Sequence, residues 1–232
     1  METEITHRPS YAHLVVSLEV EETILAEPGA MVSHTPSVSI ETSSSRDGLL
    51  SSAKSMLGGE SLFTNEFTAE REPGTITLAP PKPGDIREYT LDDGTLYAVD
   101  GAFLAAEPPI DIDSEFGGLK SMLAGASITP LALTGSGRVF LEAFGGIETV
   151  SLDHGESYII DNENVVAWEG SVDFDARRVG DLKSTLLSGE GLVMEFTGPG
   201  NVWYQTRGLD SFVDTIASAL PTSDDNDATI EF

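Results

Sequence analysis

Histidine, clustered carboxylate, serine and glycine-rich turns are the residues of this chain whose types and spacing bear on chemistry. The four histidines, His7, His13, His34 and His154, are not spaced as ligands on any one element. A transition-metal site needs three or four converging donors, and the spacing predicts none. Asp111-Ile112-Asp113-Ser114-Glu115 would set three acids on one face of a strand, because alternate residues share a side. Such a face suits Ca²⁺ or Mg²⁺, which take oxygen ligands. In a chain with 39 acidic residues, solvated surface is the preferred reading. Asp224-Asp225-Asn226-Asp227 lacks the loop glycine and distant Glu of a calcium-binding EF-hand.

Nucleophilic chemistry fares no better. There is no Gly-x-Ser-x-Gly elbow. Ser61, Ser127 and Ser157 sit in expected turns, and only Ser157 has a histidine close in sequence, His154, with no third group to orient the imidazole. Gly135-Ser136-Gly137 and Gly198-Pro199-Gly200 lack the following helix and Gly-Lys-Ser/Thr of a phosphate loop, and read as hairpin turns. No catalytic, cofactor-binding or metal residue is therefore assigned, and no enzymatic activity is expected.

Composition excludes further classes. The net charge is −27, with only 12 basic residues. Self-repulsion of that size opposes the compact state. Molar salt, where the Debye length is about 3 Å, would relieve it. Scarce lysine with abundant Asp and Glu reads as a protein of a salt-accumulating halophile. Such a surface repels nucleic acid phosphate and anionic lipid alike, so neither is an expected partner. With no cysteine, disulfides and thiolate chemistry are excluded. Met1-Glu2-Thr3-Glu4 is not the start of a signal peptide, and no apolar run approaches a membrane span of about 20 residues. A cytoplasmic location is the expectation.

The elements that must carry these residues repeat. Lys54-Ser55-Met56-Leu57, Lys120-Ser121-Met122-Leu123 and Lys183-Ser184-Thr185-Leu186-Leu187 each precede a Gly-centred turn. Downstream, Gly74, Gly137 and Gly200 recur at intervals of 63 residues, each followed by one residue and then Ile76, Val139 or Val202. A period this long implies one supersecondary unit used three times. The expected architecture is all-β, three sandwich-like repeats in pseudo-threefold arrangement over residues 11–221, with units of about 11–83, 84–146 and 147–207. Each Lys-Ser-x-Leu segment reads as a short helical turn. Leu91-Asp92-Asp93-Gly94 and Leu152-Asp153-His154-Gly155 read as tight turns, where positive φ is needed. Leu209, Phe212, Val213, Ile216, Ala217 and Leu220 make an amphipathic helix over 209–220, with Ser211 and Asp214 as a capping box, ahead of an acidic, disordered tail at 222–232.

Several stretches resemble one known family. They are Glu27-Pro28-Gly29-Ala30-Met31, Leu78-Ala79-Pro80, Pro83-Gly84-Asp85-Ile86 and Gly101-Ala102-Phe103-Leu104-Ala105, followed by Leu187-Ser188-Gly189-Glu190-Gly191-Leu192-Val193 and Val202-Trp203-Tyr204-Gln205-Thr206-Arg207. The resemblance, over roughly 14–221, is to the uncharacterised family of the fungal "altered inheritance of mitochondria" biogenesis protein and its bacterial and archaeal relatives. It implies a fold similar to that of the tryptophan-RNA-binding attenuation protein (TRAP-like), with no agreed activity and no catalytic residues to carry over. Ala126 departs from the pattern, since Glu60 and Glu190 hold the matching places in the other repeats. The expected function is a non-enzymatic scaffold or interaction protein, self-associating through strand edges. A small-ligand binder with a cavity between units is the second reading, and a carboxylate-rich metal-dependent hydrolase the third.

Overall fold

The computed structural model describes residues 1–44, 63–113, 130–178 and 192–220. The three Lys-Ser-x-Leu segments, Ser61, Ser127, Glu115, Ala126 and the acidic tail lie outside the described residues. What is described is an all-β body with one α-helix near its C-terminal end. The chain begins with β1 (Glu2–Thr6), then β2 (His13–Leu18), β3 (Thr23–Ala26), β4 (Met31–His34), β5 (Val38–Ser44), β6 (Phe63–Ala69) and β7 (Gly74–Leu78). The middle holds β8 (Ile86–Val99), β9 (Phe103–Ala106), β10 (Ile110–Asp113) and β11 (Pro130–Glu142). The last part holds β12 (Ile147–Leu152), β13 (Ser157–Asp161), β14 (Val165–Glu169), β15 (Asp173–Arg178), β16 (Leu192–Thr197), β17 (Gly200–Gln205) and α1 (Leu209–Ala219).

Alternation explains the strands. In β7, Gly74, Ile76 and Leu78 are buried while Thr75 and Thr77 are half-exposed; in β2, Leu14, Val16 and Leu18 point inward. The pairing pattern then recurs. β7 lies between β2 and β4, and β6 between β3 and β5. β17 lies between β12 and β14, and β16 between β13 and β15. In the middle part, β11 supplies both inner roles and β8 both flanking roles on one side, the two pairing along their whole lengths, with β9 and β10 beside the two halves of β11 on the other. Even the irregularities match. Met31, Phe103 and Val165 pair with Leu78, Leu141 and Tyr204, and each pairing is followed by a register shift. A left-handed residue stands at the same place in each part: Glu21 (φ 68°), Asp93 (φ 50°) and Gly155 (φ 79°).

The recurring glycines occupy matching positions. A Cβ at Gly74 or Gly200 would lie 2.5 or 2.6 Å from Val38 Cγ2 or Val172 Cγ2, and one at Gly137 3.5 Å from Ile110 Cδ1. The amide after each glycine donates to a side chain: Thr75 N to Thr35 Oγ1, Arg138 N to Glu107 Oε2, and Asn201 N to Glu169 Oε2. The expected hairpins at these glycines do not form. The strands on either side belong to different three-stranded arrays, so the glycine carries the chain from one array to the other. Gly135-Ser136-Gly137 lies inside β11 at a bulge. Asp92-Asp93-Gly94, expected as a turn, likewise lies within the 14-residue β8, with the bend absorbed by Asp93. β1, which the reading from residue 11 leaves outside the body, pairs with β2.

Three clusters form the core, and the first two are each completed by buried residues of the part that follows. Leu104, Ala105 and Phe140 pack into the first cluster around Leu14, Ile24 and Phe67. Val166, Ala167 and Trp203 pack into the second around Leu96, Leu133 and Leu141. Two strand pairings run along these joints, β3 with β9 and β8 with β14. α1 is capped differently from expectation. Its N-cap is Gly208, and Ser211 Oγ donates to Glu163 Oε2 at 3.0 Å rather than closing a box with Asp214. Its apolar stripe is exposed, touching the body where Phe212 meets Phe144 with ring centroids 5.1 Å apart.

Candidate interaction edges

The two joints define what an edge strand in this fold is built to do. At the first, Leu25 and Ala26 pair with Ala106 and Ala105; at the second, Tyr97 and Ala98 pair with Trp168 and Ala167. The receiving strand is consequently buried: all four residues of β9, and Val165 to Trp168 of β14. β4 is the matching strand of the first part by register, yet all four of its residues are exposed. Met31 and Val32 show 41% and 52% of their surface, where the corresponding Phe103 and Leu104 show 2% and 0%. At the other end of the chain, β13 corresponds to β3 and the second half of β8. It ends its sheet, and Tyr158 and Ile159 are 41% and 51% exposed.

Other edges carry outward acids. β10 exposes Asp111 and Asp113, β15 exposes Asp173 and Asp175, and β5 exposes Glu41 beside Ile40, itself 43% exposed. Outward acids discourage pairing with a stray strand. β4 carries no acid along its four residues, and β13 only Asp161 at its end, whose Oδ1 accepts from Glu163 N at 2.9 Å.

Buried polar groups brace the joints. Glu142 is buried with Lys82 Nζ at 3.3 Å, and Lys82 also donates to the Gly101 carbonyl. Burial pushes the Glu142 carboxyl up to about 7, Lys82 opposing and Glu27 reinforcing that rise. Burial likewise raises Glu27. Arg8 grips buried Asp85 through two bonds of 2.7 and 2.8 Å. At the second joint Tyr89 donates to Glu169 at 3.0 Å and stacks edge-on against Trp203; burial and then Glu169 push its phenol up to about 12. A cavity of about 210 Å³ lies beside this joint, lined by Lys82, Gly101, Asn162, Glu163, Gln205 and Leu209 among others.

The residues singled out for chemistry do not assemble into one site. His7 and His13 meet edge to face at 5.3 Å, and no group of three His, Asp or Glu suited to a metal exists among the described residues. Asp111 and Asp113 are exposed on β10. His154 is exposed in its turn, and Ser157 instead shares a 3.0 Å hydrogen bond with Thr197 Oγ1. Trp203 is buried and Tyr204 half-exposed, 6.2 Å from Tyr158. Sequence reasoning missed the Lys82–Glu142 pair. Its signal was faint: Glu142 ends β11 where Gln205 ends β17 and Ala79 follows β7.

Fold and edges define a class: an all-β, multi-sheet protein with buried joints between parts and, among the described residues, exposed apolar side chains on the edge strands β4 and β13. The chain belongs to the mitochondrial biogenesis AIM24 family, whose model matches residues 3–207. It is 30% identical over 216 residues to an uncharacterised protein of Streptococcus pyogenes serotype M6, covering 90% of this chain and 86% of that protein. A crystal structure of a Streptococcus pyogenes protein superposes with a TM-score of 0.77 at 27% identity, covering 94% of this chain and 99% of that one. No helix among the described residues is long and apolar enough to cross a membrane.

Proposed function

We propose that this chain is a non-enzymatic scaffold of three TRAP-like units, about 11–83, 84–146 and 147–207, that works by strand pairing at its uncovered edges. The observation that carries this reading is β4, exposed at every residue although its counterparts β9 and β14 are buried under a neighbouring unit. Unpaired amides and carbonyls beside apolar side chains are a template for another strand.

The small-ligand reading draws on the cavity, and the polar groups there weigh against it. Gln205 spends its amide on Phe144 N and the Glu163 carbonyl, and Lys82 is engaged by Gly101 and Glu142. At about 210 Å³ this cavity is also smaller than the roughly 300–1,000 Å³ of drug-sized sites, and two larger hollows, of about 380 Å³ beside Tyr89 and Glu169 and about 320 Å³ beside Met1 and Glu107, are more open to solvent. RNA is no better a partner, since a chain with charge −27 has little cation to displace phosphate counter-ions.

Native mass analysis of the protein purified in molar KCl tests the scaffold reading. Protein should co-purify with it, whether further copies or another chain, and Val32→Lys should release that protein. A monomer carrying only a small molecule would overturn the reading.

A further inference from the structure

We propose that the buried Lys82–Glu142 pair is a proton-operated exchange: when Glu142 takes up a proton it donates to the Gly101 carbonyl, and Lys82 leaves that carbonyl for the adjoining cavity. The ground is a matching position elsewhere in the chain. Gln205 ends β17 opposite Ile147 as Glu142 ends β11 opposite Ile86. Val165 pairs with Tyr204 as Phe103 pairs with Leu141, each beside a register shift, so the Glu163 carbonyl matches the Gly101 carbonyl. Gln205 donates through Nε2 to the Glu163 carbonyl at 2.7 Å. Its Oε1 accepts from Phe144 N at 2.9 Å.

Glu142 makes neither bond. An ionised carboxylate has no hydrogen to donate, and the donor to the Gly101 carbonyl is Lys82 Nζ instead. The loop bearing that lysine, Pro80-Pro81-Lys82-Pro83, contains three residues with no amide hydrogen to offer the carboxylate. Among the described residues neither Glu142 carboxyl oxygen has a hydrogen-bond partner, although the side chain is fully buried. Lys82 Nζ, 3.3 Å from Oε1, holds it by charge. A protonated carboxyl has the shape of the Gln205 amide and one O–H to donate. The proton and Lys82 thus compete for one carbonyl.

Lys82 has somewhere to go. Its side chain, 18% exposed, already reaches the cavity of about 210 Å³, which Asp100, Glu163 and Asp210 also line. These acids come from the turn after β8, the link before β14 and α1. Moving the ammonium among them carries a positive charge from the joint to the foot of the helix. The charged groups bearing on Glu142 are Lys82, which favours its ionised form, and Glu27, which opposes it; Asp100 acts on Glu27 in turn. Burial outweighs them all and sets the midpoint at about 7.

A chain with only four lysines makes the test direct. Isotope labelling at lysine Nζ gives one ammonium signal per residue in the NMR spectrum, and Lys82→Arg identifies that of Lys82. In the full chain in molar KCl, this signal should shift between pH 8 and pH 5 with one midpoint near 7. In Glu142→Gln it should hold the pH 5 position throughout. A Lys82 signal that stays still, or that shifts equally in Glu142→Gln, overturns the inference. Urea melts of Lys82→Met decide the matter if either of those variants fails to fold. Its midpoint should fall below that of the wild type at pH 8 and match it at pH 5, and an equal loss at both overturns the inference.

Discussion

Glu142 shows how one side chain ties stability to pH. Its carboxyl titrates at about 7 in the folded protein, against an ordinary value of 4.5. The native state then holds a proton between those values that the unfolded chain has already released. Stability contributed by the protonated form is present below pH 4.5 and lost as pH rises through about 7, an effect on the order of 3 kcal/mol. Glu142→Gln should remove this slope, which urea melts at pH 5 and pH 8 in molar KCl would reveal. Lys82→Ala should act the other way, leaving the buried acid without its cation and costing about 3 kcal/mol at pH 8. Gly200 is a second sensitive point. Its φ of +142° and the 2.6 Å approach of Val172 Cγ2 leave no room for a Cβ, so Gly200→Ala should destabilise by about 1–3 kcal/mol in the same melts.

The strands themselves were largely readable. Leu14, Val16 and Leu18 alternate in the sequence and bury as alternation predicts. The period of Gly74, Gly137 and Gly200 marked matching places, because a glycine is needed wherever Val38 or Val172 packs against bare backbone. What the glycines join was not readable. A glycine two residues ahead of a β-branched one serves a hairpin or a crossing between sheets equally well, and only the long-range partners decide. Glu142 was hidden for a related reason, since a carboxylate among 39 acids looks like surface until the fold closes over it. The helix was visible as a periodic stripe, but its exposure was not. One element also predicts a gain. Thr77 holds in β7 the place of Phe140 in β11 and Trp203 in β17, and Thr77→Phe would supply beside the exposed β4 the aromatic plug that those two provide at the internal joints. It should tighten association several-fold by sedimentation velocity, whereas Thr77→Asp should weaken it.

Charge governs the whole molecule. Net −27 on 232 residues loads the compact state with repulsion that only salt can screen. The melting temperature should therefore climb steeply between 0.1 and 3 M KCl (concentrations on the order of those that shrink the Debye length below about 10 Å), and a flat response would remove the halophile reading. Salt should also promote assembly, since copies of one anionic chain repel until screened while burial of Met31, Val32, Tyr158 and Ile159 is not weakened by it. The most direct measurement of the central claim is molar mass in molar KCl across a hundredfold range of protein concentration, by light scattering on a size-exclusion column. Species at multiples of 24.6 kDa should appear and collapse to 24.6 kDa in Val32→Lys. A single 24.6 kDa species throughout, identical in wild type and variant, would contradict it.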